Sequence, residues 1–158
     1  MKVLLAIDGS GHSEAAINEV ARRHFPAGTE VRVISVVVPS YYSGALAEGG
    51  GDARIYTEIE NYARDRAHAA VKKAAATLRA DEGSRPLNVT TKVLAGPAKV
   101  AILDEAEAFG AELIVVGSHG HGKLESFLIG SVAHAVALHA KCSVEIVRSP
   151  KAQTSESK

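Results

Sequence analysis

The sequence predicts an α/β fold built on a parallel sheet. Short, near-continuously apolar runs alternate with longer segments of helical period, as in Lys2 to Ile7, the Ser13 to Ala21 segment and Val31 to Val38. Strands apolar along their whole length are buried on both faces, so helices must cover both sides of the sheet. The third observation is the stretch Leu113 to Val132, LIVVGSHGHGKLESFLIGSV, where an apolar run breaks into glycines and then enters an Ala-rich helix.

In chain order, Lys2 to Ile7 is the first buried strand, with Asp8 at its carboxyl end. Ser13 is the candidate cap of a helix whose inner positions are Ala16, Ile17, Val20 and Ala21, stopped by Pro26 to Gly28. Val31 to Val38 is the second strand, ended by Pro39. Ser40 to Asp52 has three successive glycines and no period, and reads as a flexible loop carrying Tyr41 and Tyr42. A long helix follows over about 53–80, with Ile55, Ile59, Tyr62, Ala63, Ala67, Ala70, Val71, Ala74 and Leu78 as its buried stripe.

Glu82 to Pro86 is a turn, and Asn88 to Leu94 alternates as a third strand. Pro97 suits the first position of the next helix, with Val100, Leu103, Ala106 and Phe109 inside and Gly110 as its stop. Leu113 to Val116 is the fourth strand. The last helix spans Gly130 to Ala140 with Val132, Ala133, Val136 and Ala137 inward, and Val144 to Arg148 is the fifth strand. One domain over 1–149 and a polar, disordered tail over 150–158 complete the reading.

The bulk properties exclude several classes. Eighteen basic residues balance eighteen acidic ones among 158, so there is no global charge to draw nucleic acid or an anionic membrane. No stretch reaches transmembrane length and the N-terminus does not read as a signal peptide, so a soluble cytoplasmic protein is expected. The single cysteine, Cys142, reads as a buried structural thiol.

Glycines let a backbone approach a ligand closely, and a helix N-terminus offers free N–H groups and partial positive charge. Strand, glycine loop and helix start therefore describe a cradle for an anion, most simply phosphate. Gly117 to Lys123 fits G-x-x-x-x-G-K, but Leu124 stands where a P-loop needs Ser or Thr for Mg²⁺. The pattern that does fit is Gly117-x-x-Gly120, nine residues, then Gly130-Ser131. A tight loop whose glycines serve only turn geometry is the alternative reading. His12, His119 and His121 lack neighbours at metal-ligand spacing, so no metal site is assigned, and phosphate contact or solvent exposure is expected of them. His134 and His139 read as structural, and Lys123 as either a phosphate partner or a surface lysine.

The glycine spacing resembles the nucleotide-binding signature of the universal stress protein family. VLLAIDGSGHS at the start, VRVISVVVP in the second strand and the segment from Gly96 to Arg148 extend the resemblance over residues 1–149. It implies a three-layer open sheet of five parallel strands in the order 3-2-1-4-5. The first and fourth strands then meet at the switch point, where ligands of such sheets bind. For ATP-binding members the resemblance places Ala6, Ile7 and Asp8 around adenosine, with Asp8 close to the ribose or a metal-bridged phosphate. Val36 falls against adenine. Gly117, His119 and Gly120 fall near ribose and phosphates, and Gly130, Ser131 and Val132 on phosphate.

Glu112, Ser143 and Glu145 depart from the family pattern, in which the last strand often pairs across a dimer interface. The resemblance thus implies an adenine-nucleotide-binding regulatory protein of the stress response, taking ATP or AMP, with Mg²⁺. It would act as a homodimer through Val144 to Arg148, with at most weak ATP hydrolysis and no assigned catalytic residue. A protein-interaction module of the same fold without nucleotide, and a slow ATPase or phosphotransferase, are the alternatives.

Overall fold

The computed structural model describes residues 1–39, 53–80, 87–120 and 129–149. Its elements are β1 (Lys2–Ile7), α1 (Gly11–Arg22), β2 (Glu30–Val37), α2 (Ala53–Ala80), β3 (Asn88–Ala95), α3 (Ala98–Phe109), β4 (Leu113–Gly117), α4 (Ser131–His139) and β5 (Ser143–Val147). The strands form one sheet in the order β3-β2-β1-β4-β5, parallel throughout, as the resemblance implies. The loop expected over 40–52 with its two tyrosines, the turn at 82–86, His121, Lys123 and the tail lie outside the described residues.

Alternation along each strand explains the two covered faces. Val3, Leu5, Val31, Val33 and Val115 pack against Ile17 and Val20 of α1 and Val71 and Leu78 of α2. Their sequence neighbours Leu4, Ile34, Ile114 and Val116 point the other way, onto Ile102 and Phe109 of α3 and Val136 of α4. Every second residue serves one layer, so Val3 to Ile7 of β1 and Leu113 to Val116 of β4 are apolar on both faces.

Several elements differ from expectation. Ser10, not Ser13, caps α1, and its side chain accepts the Ser13 N–H. Ser13 is instead buried inside the first turn. In α2 the inner stripe is real only in the second half. Ala67, Val71, Ala74 and Leu78 are buried, whereas Ile55, Ile59 and Tyr62 are 55%, 54% and 67% exposed. Apolar periodicity registers a face but not whether a neighbour lies opposite it.

In α3, Pro97 is the N-cap, and the core residue of the first turns is Ile102 rather than the exposed Val100. Leu103 is half-buried, and Ala137 of α4 is exposed. His134 and His139 are exposed as well, so neither is a packing residue. Cys142 is half-buried against the α3–α4 layer, where burial pushes its thiol pKa up. No helix among the described residues is long and apolar enough to cross a membrane.

A buried charge also sits in the α3 layer. The Glu105 carboxylate, 5% exposed, accepts from Arg32 Nη1 at 2.7 Å and from Lys92 Nζ at 2.6 Å. The Arg32 guanidinium lies 4.0 Å from the Phe109 ring centroid. Burial disfavours the Glu105 charge, but the hydrogen bonds from Lys92 and Arg32 outweigh it, and its pKa is held below the ordinary glutamate range.

Candidate functional site

The sheet places the site. β1 and β4 pair from Val3↔Leu113 to Ala6↔Val116, so Asp8 and Gly117 emerge side by side at their carboxyl ends. The chain reverses its direction of strand addition between these two strands, which opens a crevice there. A cavity of about 410 Å³ occupies it, within the usual range for small-ligand sites of roughly 300–1,000 Å³.

Every residue assigned above to nucleotide contact lines this cavity. Ala6, Ile7 and Asp8 come from the end of β1, and Val36 from β2. Gly117, His119 and Gly120 come from β4 and the turn after it, and Gly130, Ser131 and Val132 from the start of α4. Sequence reasoning missed Ser13, Ile34, Val38, Ala98 and Ile102, which line it too. Ile34 and Val38 share the strand face of Val36, so period-two alternation would have found both. Ala98 and Ile102 lie one turn apart on α3, after Gly96-Pro97.

The cavity has two chemically different ends. Ile34, Val36, Val38 and Ile102 make one end apolar. The other is the N-terminus of α4. Gly130 is its N-cap and makes no side-chain cap, while the first internal backbone bond runs from His134 N–H to Gly130 O. The N–H groups of Ser131 to Ala133 therefore have no partner inside the helix and carry its positive pole. Asp8 is the only carboxylate among the described lining residues, and no lysine or arginine lines the cavity among them.

The glycines sit in close quarters. A Cβ on Gly120 would stand 2.7 Å from Asp8 Oδ2, and one on Gly130 3.1 Å from the Ser118 carbonyl oxygen. Gly117 differs, because its Cβ would meet the backbone C and O of His12 at 2.9 Å. That glycine admits the first turn of α1 against β4 as well as bordering the cavity.

Two side-chain clusters stiffen the rim. The Ser13 hydroxyl donates to Asp8 Oδ1 at 2.6 Å and accepts the Asp8 N–H at 2.9 Å, while the Ser10 N–H donates to the same Oδ1 at 2.9 Å. Beside them the buried Ser118 hydroxyl lies 3.3 Å from His12 Nδ1 and 3.1 Å from His119 Nδ1. Ser149 Oγ is 3.0 Å from His12 Nδ1. The two histidine rings are 5.1 Å apart, and His119 Nε2 is buried with no hydrogen-bond partner among the described residues. Among the described residues no group of three or more His, Cys, Asp or Glu could hold a metal ion.

Comparison with known proteins agrees with this architecture. The model of the universal stress protein family matches residues 1–148. A putative universal stress protein of Staphylococcus epidermidis is 32% identical over 152 residues, covering 92% of this chain and 82% of its own length. Among solved structures, hypothetical protein MJ0577 superposes with a TM-score of 0.78 at 23% identity, covering 95% of this chain and 96% of that one. A universal stress protein family protein from Arabidopsis thaliana, solved with AMP bound, gives 0.68 at 13% identity, covering 96% and 93%. With a family match over nearly its whole length, the chain belongs to the universal stress protein family.

Proposed function

We propose that the chain binds an adenine nucleotide in the β1–β4 cavity, and that it works as a cytoplasmic regulatory protein of the stress response rather than as an efficient enzyme. The observation that carries this reading is the pairing of an apolar end with a helix N-terminus in one cavity. A nucleotide has the same polarity, a flat weakly polar base at one end and an anion at the other. The base lies against Ile34, Val36 and Val38, and the phosphate beside Gly130, held by the N–H groups of Ser131 and Val132 and the Ser131 hydroxyl. The close packing of Gly130 on the Ser118 carbonyl supports a tight approach of ligand to the start of α4. The AMP-bound relative from Arabidopsis supports the ligand class.

ATP or AMP both suit this reading. Mg²⁺ would arrive on the phosphates, since the described lining residues offer a single carboxylate and Mg²⁺ takes only one or two such ligands beside phosphate oxygens. The homodimer forms through β5, which is an edge strand paired only with β4 among the described residues. Glu145 is compatible with it, because its carboxylate is drawn onto α1 by Arg23 at 2.7 Å.

The test is mass spectrometry of nucleotide released from freshly purified protein, with calorimetric titration of AMP and Mg·ATP and sedimentation of the same sample. Recovered nucleotide or a micromolar-range Kd, about −8 kcal/mol, supports the reading. No bound nucleotide and no titration heat would favour the protein-interaction alternative.

A further inference from the structure

We propose that Ser149, acting through His12 and Ser118, is a positioning residue that fixes His119 of the cavity wall as a neutral hydrogen-bond donor at Nε2. The inference rests on the nucleotide reading above, which sets His119 beside the ligand, and adds to it three residues that do not line the cavity. Ser149 follows β5, His12 lies in the first turn of α1, and Ser118 follows β4. Ser118 is held on both sides by backbone. Its N–H donates to the Val147 carbonyl at 2.7 Å, and its carbonyl accepts the Gly130 N–H at 2.7 Å.

Donors and acceptors along this chain of contacts assign the ring protons. Ser149 Oγ lies 3.2 Å from the Gly11 carbonyl oxygen and 3.0 Å from His12 Nδ1. A carbonyl only accepts, so the single hydroxyl proton of Ser149 goes to Gly11. The Ser149 oxygen then accepts from His12, whose Nδ1 carries a proton. That N–H is shared with Ser118 Oγ at 3.3 Å, which also accepts. Ser118 is 1% exposed, so its own hydroxyl proton needs an acceptor inside the protein. Among the described residues His119 Nδ1, at 3.1 Å, is the group left to take it. His119 is therefore an acceptor at Nδ1 and carries its proton on Nε2. This assignment satisfies all four contacts and leaves no hydroxyl proton stranded.

The far end of the relay is the open one. The His119 ring lines the cavity, and its Nε2 is buried with no hydrogen-bond partner among the described residues. An N–H in that state is costly until an acceptor reaches it. The described cavity wall supplies none to it, so the acceptor is an oxygen of the bound nucleotide. The opposite tautomer would set a lone pair against that oxygen and repel it. Ser149 does not line the cavity, so it acts on the ligand only through His12, Ser118 and His119.

The experiment is long-range ¹H–¹⁵N NMR of the histidine rings in the full chain at about pH 8, above the ordinary histidine pKa, with calorimetric titration of AMP. The two rings are assigned from His12→Gln and His119→Ala. Wild type shows His12 protonated at Nδ1 and His119 at Nε2, and the His119 N–H signal moves on saturation with AMP. Ser149→Ala gives His12 a mixture of tautomers and weakens AMP about threefold. Ser149→Thr, which keeps the hydroxyl, restores both. In the His119→Ala background Ser149→Ala costs nothing further. Wild-type His12 protonated at Nε2 alone would overturn the proposal, as would a His119 N–H unmoved by AMP or a Ser149→Ala loss that persists without His119. Wild type that binds no AMP sinks the nucleotide reading, and the relay then stands or falls on the tautomers alone.

Discussion

The Gly130 N–H donates to the Ser118 carbonyl at 2.7 Å, tying the start of α4 to the first residue after β4. The end of the cavity formed by the N-terminus of α4 is thus tied by backbone to the end of β4. Gly130 has φ −59°, which any residue adopts, so what sets glycine apart there is the close packing and not the conformation.

A branched side chain at Gly130 crowds the Ser118 carbonyl, and one at Gly120 displaces the Asp8 carboxylate. Gly120→Val and Gly130→Val are each expected to remove at least one or two N–H contacts to phosphate, worth about 1.5–3 kcal/mol each. In titration with AMP or Mg·ATP this is a loss of about tenfold or more. Circular dichroism of both variants should remain that of the folded chain. Unchanged affinity in both would contradict the assignment of the anion end.

Gly117 separates from the other two in its readout. A methyl there collides with the His12 backbone at 2.9 Å, and backbone cannot rotate away. Gly117→Ala should therefore destabilise the fold by about 1–3 kcal/mol, the usual cost of overpacking. The check is a lowered urea midpoint with an unchanged slope. A midpoint equal to wild type would mean that α1 slides on β4 without cost.

Glu105 gives a pH-dependent prediction. Its folded pKa is depressed, so between the folded and unfolded values the unfolded chain binds more protons and stability rises with pH. The contribution is complete above the unfolded value, near 4.3, and is lost as pH falls through the folded one. Glu105→Gln should cost about 1–3 kcal/mol at pH 7, the lower end being set by the exposure of Arg32 and Lys92. The gap between variant and wild type should shrink below about pH 4. A gap that is constant from pH 7 to pH 3 would show that the carboxylate charge contributes nothing.

Strand identity and the position of the cavity were readable for separate physical reasons. A strand buried on both faces must be apolar throughout, so Leu4 and Leu5 signal themselves together although they face opposite layers. Glycine spacing marked the chain's close approaches, Gly120 to the Asp8 carboxylate and Gly130 to the Ser118 carbonyl. Tertiary partners were not readable. Nothing local distinguishes Glu105, which is buried, from its exposed helix neighbours Asp104 and Glu107, because Arg32 and Lys92 lie on two distant strands. The Ser13–Asp8 bond was obscured by a competing role, since any serine near a helix start reads as a cap, and Ser10 took that role.

Helix α2 shows the same gap between pattern and partner, and it can be measured. Its apolar period continues from Ile55 to Leu78, yet Ile59 is 54% exposed and Leu78 only 3%. Burial is what makes a methylene stabilising, so equal residues on one stripe should differ greatly in worth. Leu78→Ala is expected to cost about 2–5 kcal/mol, since the layer between α2 and the sheet cannot fully collapse onto the void. Ile59→Ser should change stability by no more than about 0.5 kcal/mol. Urea unfolding of both variants at low protein concentration decides it. A cost at Ile59 approaching that at Leu78 would mean that the N-terminal half of α2 is covered in solution, and its dependence on protein concentration would tell whether a second copy of the chain covers it.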